Sequence, residues 1–440
     1  MFSGGWVDLV AIDPRAIFIL LWFAECSAQV LFGDVYGHFE TKTWLIVALT
    51  VFSFISGAQI VQLLAVNEKS LSAIKLNWFV KTMQTNISRR FIYVSIFLFS
   101  LIAVFAFYKL FNLTGIGEGV VRPIECLKIK IVKDLVGDRN LASILKLFTI
   151  GVAISVYFLS ISSSKSKLTI ALLIGLGLIC ALATTGRLLL LLLFLAINYL
   201  LYSQKIWQIK QVFLSLLGFI LIFSLMAVLL NKKAEDERLW ACKKSVDLLY
   251  EKNLKVNTTD LTELKAARSF THVVNRKEQF KWNVQVYFLG GLAAFNYYVK
   301  TGTPNIEGGA MLPNAARSLL NHLGGDIPMR PAVNPHIQMP LDSNVYTALF
   351  PVYHDGGVLA VIVWFFLLGI IHQFLFRLSQ ESEMAYFNYL YAISLYPLVM
   401  VIFEEAYISS PGFWAIFLSV PIFIQIINNC ILRIKNKDSH

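Results

Sequence analysis

The chain has 440 residues, of which 57% are hydrophobic and only 15% are charged. Soluble domains carry roughly 25% charged residues, so the composition excludes an ordinary soluble protein. Its apolar residues fall in runs of about 20, the length that crosses the hydrocarbon core of a bilayer. The net charge of +11 lies mostly in short loops between these runs. That placement is typical of cytoplasmic loops and argues against nucleic-acid binding.

The hydropathy pattern predicts an all-α polytopic membrane protein with about ten transmembrane helices and a large periplasmic loop. The N-terminus has no basic region followed by a cleavage site, so the first apolar run is expected to be a retained span. The ten predicted spans lie near residues 16–33, 44–64, 91–110, 143–162, 168–184, 187–203, 211–230, 358–377, 384–404 and 413–432.

Orientation follows from the basic residues. Segment 65–90 contains five basic residues and one acidic residue, so it is expected to be cytoplasmic. Counting spans from there places the basic stretches 162–167, 203–210 and 433–437 on the same side, together with Arg377. The charge pattern therefore predicts a multi-pass protein with both termini in the cytoplasm.

The span count divides the chain into three parts. Residues 1–230 form predicted helices 1–7, residues 231–357 form the periplasmic loop, and residues 358–440 form helices 8–10 and a cytoplasmic tail. Within the loop, the apolar stretch 286–299 is too short to span a bilayer. It is expected to be re-entrant or interfacial.

The periplasmic loop is rich in Gly, Pro and Asn, as in "TGTPNIEGGAMLPN" and "HLGGDIPMRPAVNPHIQMP". Such irregular backbone often builds binding sites on a rigid scaffold. Arginines in this loop are candidates for binding phosphate, because the guanidinium fork matches phosphate oxygens. Solvated surface charge is the other interpretation for each. The loop's four histidines lack a metal-ligand spacing, so no metal site and no cofactor are expected. The candidate arginines are Arg268, Arg276, Arg317 and Arg330.

Arg187 is the strongest single candidate in the sequence. It follows "TTG" at the predicted tip of a hairpin between two apolar runs of about 16 residues, which cover about 24 Å of a roughly 30 Å hydrocarbon core. An arginine below the membrane surface is costly and often functional. The alternative is an arginine that reaches up to the lipid headgroups.

Glu25 and Gln29 lie four residues apart in the first predicted span, so they share one helix face. A carboxylate buried there requires a partner. Both a structural pair and a role in substrate binding remain open for Glu25.

The stretch "DSNVYTALFPVYHDGG", residues 342–357, directly precedes an apolar run. Asp355 is expected to cap the helix that begins near Gly356 and Val358 by accepting backbone N–H bonds. An aromatic belt at the membrane interface accounts for the tyrosines alone, but it does not account for the polar residues beside them.

Three stretches resemble Wzy-type oligosaccharide repeat-unit (O-antigen) polymerases of bacterial inner membranes. They are "TTGRLLLLLLF", "YFLGGLAAFNYY" and "NVYTALFPVYHDGGVLAVIVWF". The resemblance covers the chain from about residue 140 onward. One pattern described for some members, an Arg followed eleven positions later by Gly, is absent.

The resemblance implies a GT-C-type glycosyltransferase fold. It implies a metal-independent transfer of glycan from undecaprenyl pyrophosphate onto a new lipid-linked repeat unit, with a Wzz-type chain-length regulator and a Wzx-type flippase as partners. Arg187, His354 and Asp355 would then be catalytic. The substrate-binding set would be Arg268, Arg276, Arg317, Arg330, Asn344, Tyr346, Tyr353 and Glu25, with Asn344, Tyr346, Tyr353 and His354 lining the periplasmic mouth.

Three other functions remain open from the sequence. An O-antigen ligase would use the same donor and deliver glycan to a lipid A core. A flippase for lipid-linked sugar would be expected to have twelve or more helices and short loops. A non-catalytic scaffold would have no need for a buried Arg187.

Overall fold

The computed structural model describes most of the apolar segments and part of the outer loop. The described parts are helical or irregular, and they contain no β-strand. The described residues are 13–67, 87–113, 139–161, 166–183, 187–215, 217–218, 289–302, 309–328, 345–381, 384–409 and 411–437.

Nine of the ten predicted spans coincide with a helix, and the predicted span 211–230 is described only at its start, where residues 209–215 are helical. The helices are α1 (Pro14–Phe32), α2 (Thr41–Asn67), α3 (Arg89–Leu113), α4 (Arg139–Ile161), α5 (Lys167–Ala183), α6 (Arg187–Ser203), α7 (Gly290–Thr301), α8 (Asn314–His322), α9 (Leu349–Glu381), α10 (Ala385–Met400) and α11 (Pro411–Lys437).

Six of these helices, α1, α2, α3, α4, α9 and α11, are long and apolar enough to cross a bilayer. Helices α5 and α6 are apolar but have only 17 residues each. At 1.5 Å per residue each covers about 26 Å, close to the predicted length of the two apolar runs, and the predicted hairpin tip at 184–186 lies outside the described residues. The chain is a polytopic, helical membrane protein.

Helices α2 and α9 make the closest helix crossing in the described bundle, and two glycines lie at it. A Cβ atom on Gly57 would collide with the carbonyl oxygen of Phe366, and one on Gly369 would collide with that of Phe54. Small residues allow membrane helices to approach to backbone contact. This crossing anchors α9, which carries the predicted site residues.

Polar side chains join the remaining helices inside the bundle. The amide of Gln425 in α11 donates to the Tyr157 hydroxyl in α4 at 2.9 Å. Tyr389 in α10 donates to the carbonyl of Phe417 at 2.8 Å. A buried hydroxyl or amide needs such a partner, because the membrane interior offers no water.

The break inside α9 agrees with the predicted helix start near Val358, because non-helical backbone at Gly356 and Gly357 (φ −148° and +62°) separates the helix that follows from a short helix beginning at Leu349. The predicted cap by Asp355 is wrong, because its carboxylate oxygens accept the N–H groups of Ala310 and Met311 and not those of the helix that follows. Asp355 is the last helical residue before the break, so it lies at the C-terminal end of a short helical segment.

Helix α7 overlaps most of the stretch 286–299 that was expected to be re-entrant or interfacial, and it ends two residues beyond it. Its first seven residues, Gly290 to Asn296, are buried, while its last turn is more exposed. The Asn296 side chain accepts from the backbone N–H of Glu40 at 2.9 Å and from the Thr43 hydroxyl at 2.8 Å. The helix is therefore inserted among the ends of α1, α2 and α9.

Candidate functional site

The Asp355 carboxylate is the centre of the best-defined polar cluster at the end of the bundle where α9 begins. Its two oxygens accept the backbone N–H groups of Ala310 and Met311 at 2.6 and 2.7 Å. Two consecutive N–H groups aimed at a carboxylate hold it in position. The loop around Gly309 is thus attached to the break in α9 through this carboxylate.

A glycine makes this contact possible. Gly309 has φ +88°, a left-handed backbone that residues with a side chain adopt at a cost. A Cβ atom there would also lie 3.0 Å from Asp355 Oδ2. The glycine therefore lets the following two N–H groups reach the carboxylate.

His354 is oriented by the same carboxylate. Its Nδ1 lies 2.7 Å from Asp355 Oδ1, and the side chain is 11% exposed. A neutral imidazole that donates from Nδ1 to an ionised carboxylate carries its lone pair on Nε2. A histidine held in this way can accept a proton from a hydroxyl group.

Aromatic rings surround the pair. Tyr298 of α7 packs edge-on against Tyr353 at 6.2 Å, and its ring lies 6.0 Å from that of His354. Phe295 packs edge-on against Tyr353 at 5.6 Å. Burial raises the pKa of Tyr298, with Tyr353 and Asp355 adding to the shift. Its hydroxyl therefore stays protonated and available as a hydrogen-bond donor.

Two lysines lie at this mouth and differ in their surroundings. Lys42, the second residue of α2, places its Nζ 5.5 Å from the ring centroid of Tyr353. Lys300, in the last turn of α7, lies 3.8 Å from a carboxylate oxygen of Glu40. The Lys42 ammonium thus packs against the Tyr353 ring, whereas the Lys300 ammonium is paired with the Glu40 carboxylate.

A cleft of about 290 Å³ begins at the carboxylate. Apart from Asp355 it is lined by apolar and small residues and by Trp364, whose indole N–H has no partner within the described chain. Val363 on its wall is 49% exposed, and the neighbouring Leu359 is 71% exposed. Both residues lie on the apolar portion of α9, a helix long enough to span a membrane, and the cleft extends along that portion from Asp355. Its lining residues are Met311, Val352, Asp355, Gly356, Ala360, Val363 and Trp364.

The structure corrects the interpretation of Arg317. This side chain is fully buried, whereas the sequence suggested either a phosphate ligand or a solvated charge. Its guanidinium donates to the carbonyls of Leu312 at 3.0 Å and Pro328 at 2.6 Å, and also to that of Gly309. Arg317 therefore holds the loop that supplies the N–H groups for Asp355.

Tyr346 is also corrected, because it does not line the mouth. It is 1% exposed, and its ring stacks on that of Phe350 at 4.3 Å. Phe350 in turn packs against His354 at 5.8 Å. Tyr346, which precedes α9, is thus a core residue that packs beneath the aromatic rings of the site.

Glu25 is buried, as predicted, and shares one helix face with Gln29, whose amide donates to it at 3.1 Å. The same amide donates to the carbonyl of Leu289 at 2.7 Å. Glu25 therefore belongs to a contact that joins α1 to the start of α7. A direct role in binding substrate stays a prediction.

Five predicted residues cannot be placed through their side chains. Arg187 begins α6, and the structure describes only its backbone. The other four, Arg268, Arg276, Arg330 and Asn344, lie outside the described residues.

Sequence reasoning missed Lys42, Tyr298 and Trp364. They lie in three separate parts of the sequence, and only the packing of α2, α7 and α9 brings them to one end of the bundle. The glycine pair of "EGGAM" was a usable signal for Gly309, because it marks backbone that approaches another group closely.

The fold and the site together define a class: a membrane protein with a polar, aromatic mouth at the end of an apolar cleft. The chain is similar to an O-antigen polymerase of Shigella dysenteriae, with 31% identity over 131 residues. The match covers 29% of this chain and 32% of that polymerase, so it spans about a third of the relative's length. No family model and no solved structure matches the chain.

Proposed function

We propose that this protein is a glycosyltransferase that joins undecaprenyl-pyrophosphate-linked oligosaccharide repeat units into an O-antigen-like polysaccharide. The observation that carries the proposal is the His354–Asp355 pair at the polar end of a cleft lined mostly by apolar and small residues of α9. A lipid-linked glycan is amphipathic in the same way. The similarity to an O-antigen polymerase supports the same function.

The cleft suits one end of such a substrate. Ligand pockets commonly enclose about 300–1,000 Å³, so the volume of about 290 Å³ fits part of a long isoprenoid chain. The sugars would then lie at the mouth, where tyrosine rings stack on sugar faces and hydroxyl groups form hydrogen bonds.

The reaction needs a base and a stabilised leaving group. A hydroxyl of the terminal sugar on the new repeat unit attacks the anomeric carbon of the growing glycan, and His354 Nε2 takes the hydroxyl proton. The bond from that carbon to the pyrophosphate oxygen breaks, and undecaprenyl pyrophosphate departs. Asp355 holds the imidazole and stabilises its positive charge.

Arg187 is proposed as a cation for the leaving pyrophosphate, and the arginines outside the described residues are further candidates. We place the protein in the bacterial inner membrane with the mouth toward the periplasm. Repeat units delivered by a Wzx-type flippase would reach it there, and a Wzz-type regulator would set chain length.

The test uses purified protein and undecaprenyl-pyrophosphate-linked repeat units from its own host. A ladder of products that lengthens by one unit at a time is the expected result. Product on added lipid A core, with no ladder, would indicate a ligase instead. In cells, deletion of the gene should leave lipid A core that carries one repeat unit, whereas core with no unit would indicate a ligase or a flippase.

A further inference from the structure

We infer that Lys42 is an anion-binding residue of this site and contacts the phosphate oxygens of the lipid-linked donor. This role rests on the proposed function and adds to it a positively charged residue at the mouth that the sequence did not indicate. The basis for this role is the position of the ammonium group, 5.5 Å from the centroid of the Tyr353 ring.

The aromatic contact positions Lys42 without using its hydrogen-bond donors. A ring face attracts an ammonium group through its quadrupole. All three N–H donors therefore remain available to a ligand. The side chain is exposed, and within the described chain no carboxylate lies at ion-pair distance from it.

The other described cations near the mouth are already engaged. Arg317 is buried and donates to three backbone carbonyls. Lys300 faces the carboxylate of Glu40. Lys42 therefore packs on the residue that directly precedes the proposed base, His354, in α9.

A phosphate group matches this arrangement better than a neutral sugar does. The donor's pyrophosphate must lie between its isoprenoid chain and its first sugar, and the cleft and the aromatic mouth meet beside Asp355. A cation there also offsets the repulsion between that carboxylate and the incoming phosphate. An anionic phospholipid headgroup would offer the same phosphate chemistry, so the experiment separates the two sources.

The experiment measures binding to the purified full chain, with undecaprenyl pyrophosphate and uncharged undecaprenol as probes. Lys42→Met should weaken undecaprenyl pyrophosphate binding by roughly 10- to 100-fold, because one charge-assisted contact is lost. It should leave undecaprenol binding unchanged. Lys42→Arg should retain most of the affinity, and raised salt should weaken binding to wild type more than to Lys42→Met.

The matched control is Lys300→Met, which removes a lysine from the same mouth and should bind both probes as wild type does. Equal undecaprenyl pyrophosphate affinity in wild type and Lys42→Met would overturn the inference. So would phosphatidylglycerol vesicles that displace the probe from wild type as effectively as unlabelled undecaprenyl pyrophosphate does. Because these readouts are binding measurements, they are separate from the ladder assay, whose failure would overturn the proposed function instead.

Discussion

At the scale of single residues, Asp355 connects structure to chemistry. Its carboxylate holds two backbone N–H groups of the outer loop and one nitrogen of His354. One side chain therefore fixes both the loop and the proposed base.

We expect Asp355→Asn to lower the rate of polymerisation about 100-fold or more, because general-base catalysis contributes roughly 10²–10⁴-fold and the amide no longer fixes the imidazole. The rate is measured as the number of repeat units added per unit time, normalised to the amount of protein in the membrane. Asp326→Asn is the control, since Asp326 is an exposed carboxylate of the same outer segment. Wild-type elongation in Asp355→Asn would remove His354 and Asp355 from the catalytic role.

Arg317 leads to a prediction about stability. Arg317→Leu deprives three buried or partly buried carbonyls of a charged donor, and each such bond contributes about 1.5–3 kcal/mol. We expect a marked loss of thermal stability in detergent and faster proteolysis of the outer segment. Arg317→Lys should retain only part of the wild-type stability, because an ammonium group lacks the planar fork of the guanidinium.

His322→Ala, at an exposed position of the same helix, should leave stability unchanged. If Arg317→Leu unfolded at the wild-type temperature and yet bound no undecaprenyl pyrophosphate, Arg317 would be a phosphate ligand, as the sequence suggested, and not a structural residue.

At the scale of elements, α9 shows where sequence reasoning succeeds and where it stops. Hydropathy located its membrane portion from about Val358 onward, and non-helical backbone at Gly356 and Gly357 marks that start in the structure. The short helix that begins at Leu349, before the break, was not predicted. The buried half before the break is held by tertiary contacts, such as the bond from the Ala348 N–H to the Val401 carbonyl at 2.9 Å. No local pattern encodes such a contact.

The crossing of α2 and α9 gives the element-scale prediction. Gly57→Ala and Gly369→Ala each place a methyl group against a backbone carbonyl of the other helix. Such overpacking costs typically 1–3 kcal/mol, so we expect a lower unfolding temperature in detergent for both variants.

The control for this crossing is Gly175→Ala in α5. Its added methyl group would have no atom within 4 Å, and alanine favours a helix over glycine by roughly 0.5–1 kcal/mol. This variant should be as stable as wild type or slightly more stable. If all three variants unfold at one temperature, the two helices are not in backbone contact at these glycines.

At the scale of the whole molecule, the helical membrane class could be predicted from composition and hydropathy alone. The site could be predicted only in part. His354, Asp355 and Tyr353 were found because they are clustered in the chain. Lys42 and Tyr298 come from α2 and α7, far away in sequence, and become neighbours of this cluster only when the helices pack.

Topology is the prediction that belongs to this scale. The ends of α1, α2 and α7 and the start of α9 meet at one end of the bundle, as the contacts of Asn296 and Asp355 show. The basic connections belong to the opposite side by the positive-inside rule. Reporter fusions after Lys165, Lys205 and His440 should therefore read cytoplasmic, and a reporter near Gly308 should read periplasmic. A cytoplasmic signal near Gly308 would place the mouth on the cytoplasmic side of the membrane. Polymerisation of lipid-linked units at the periplasmic face would then be ruled out.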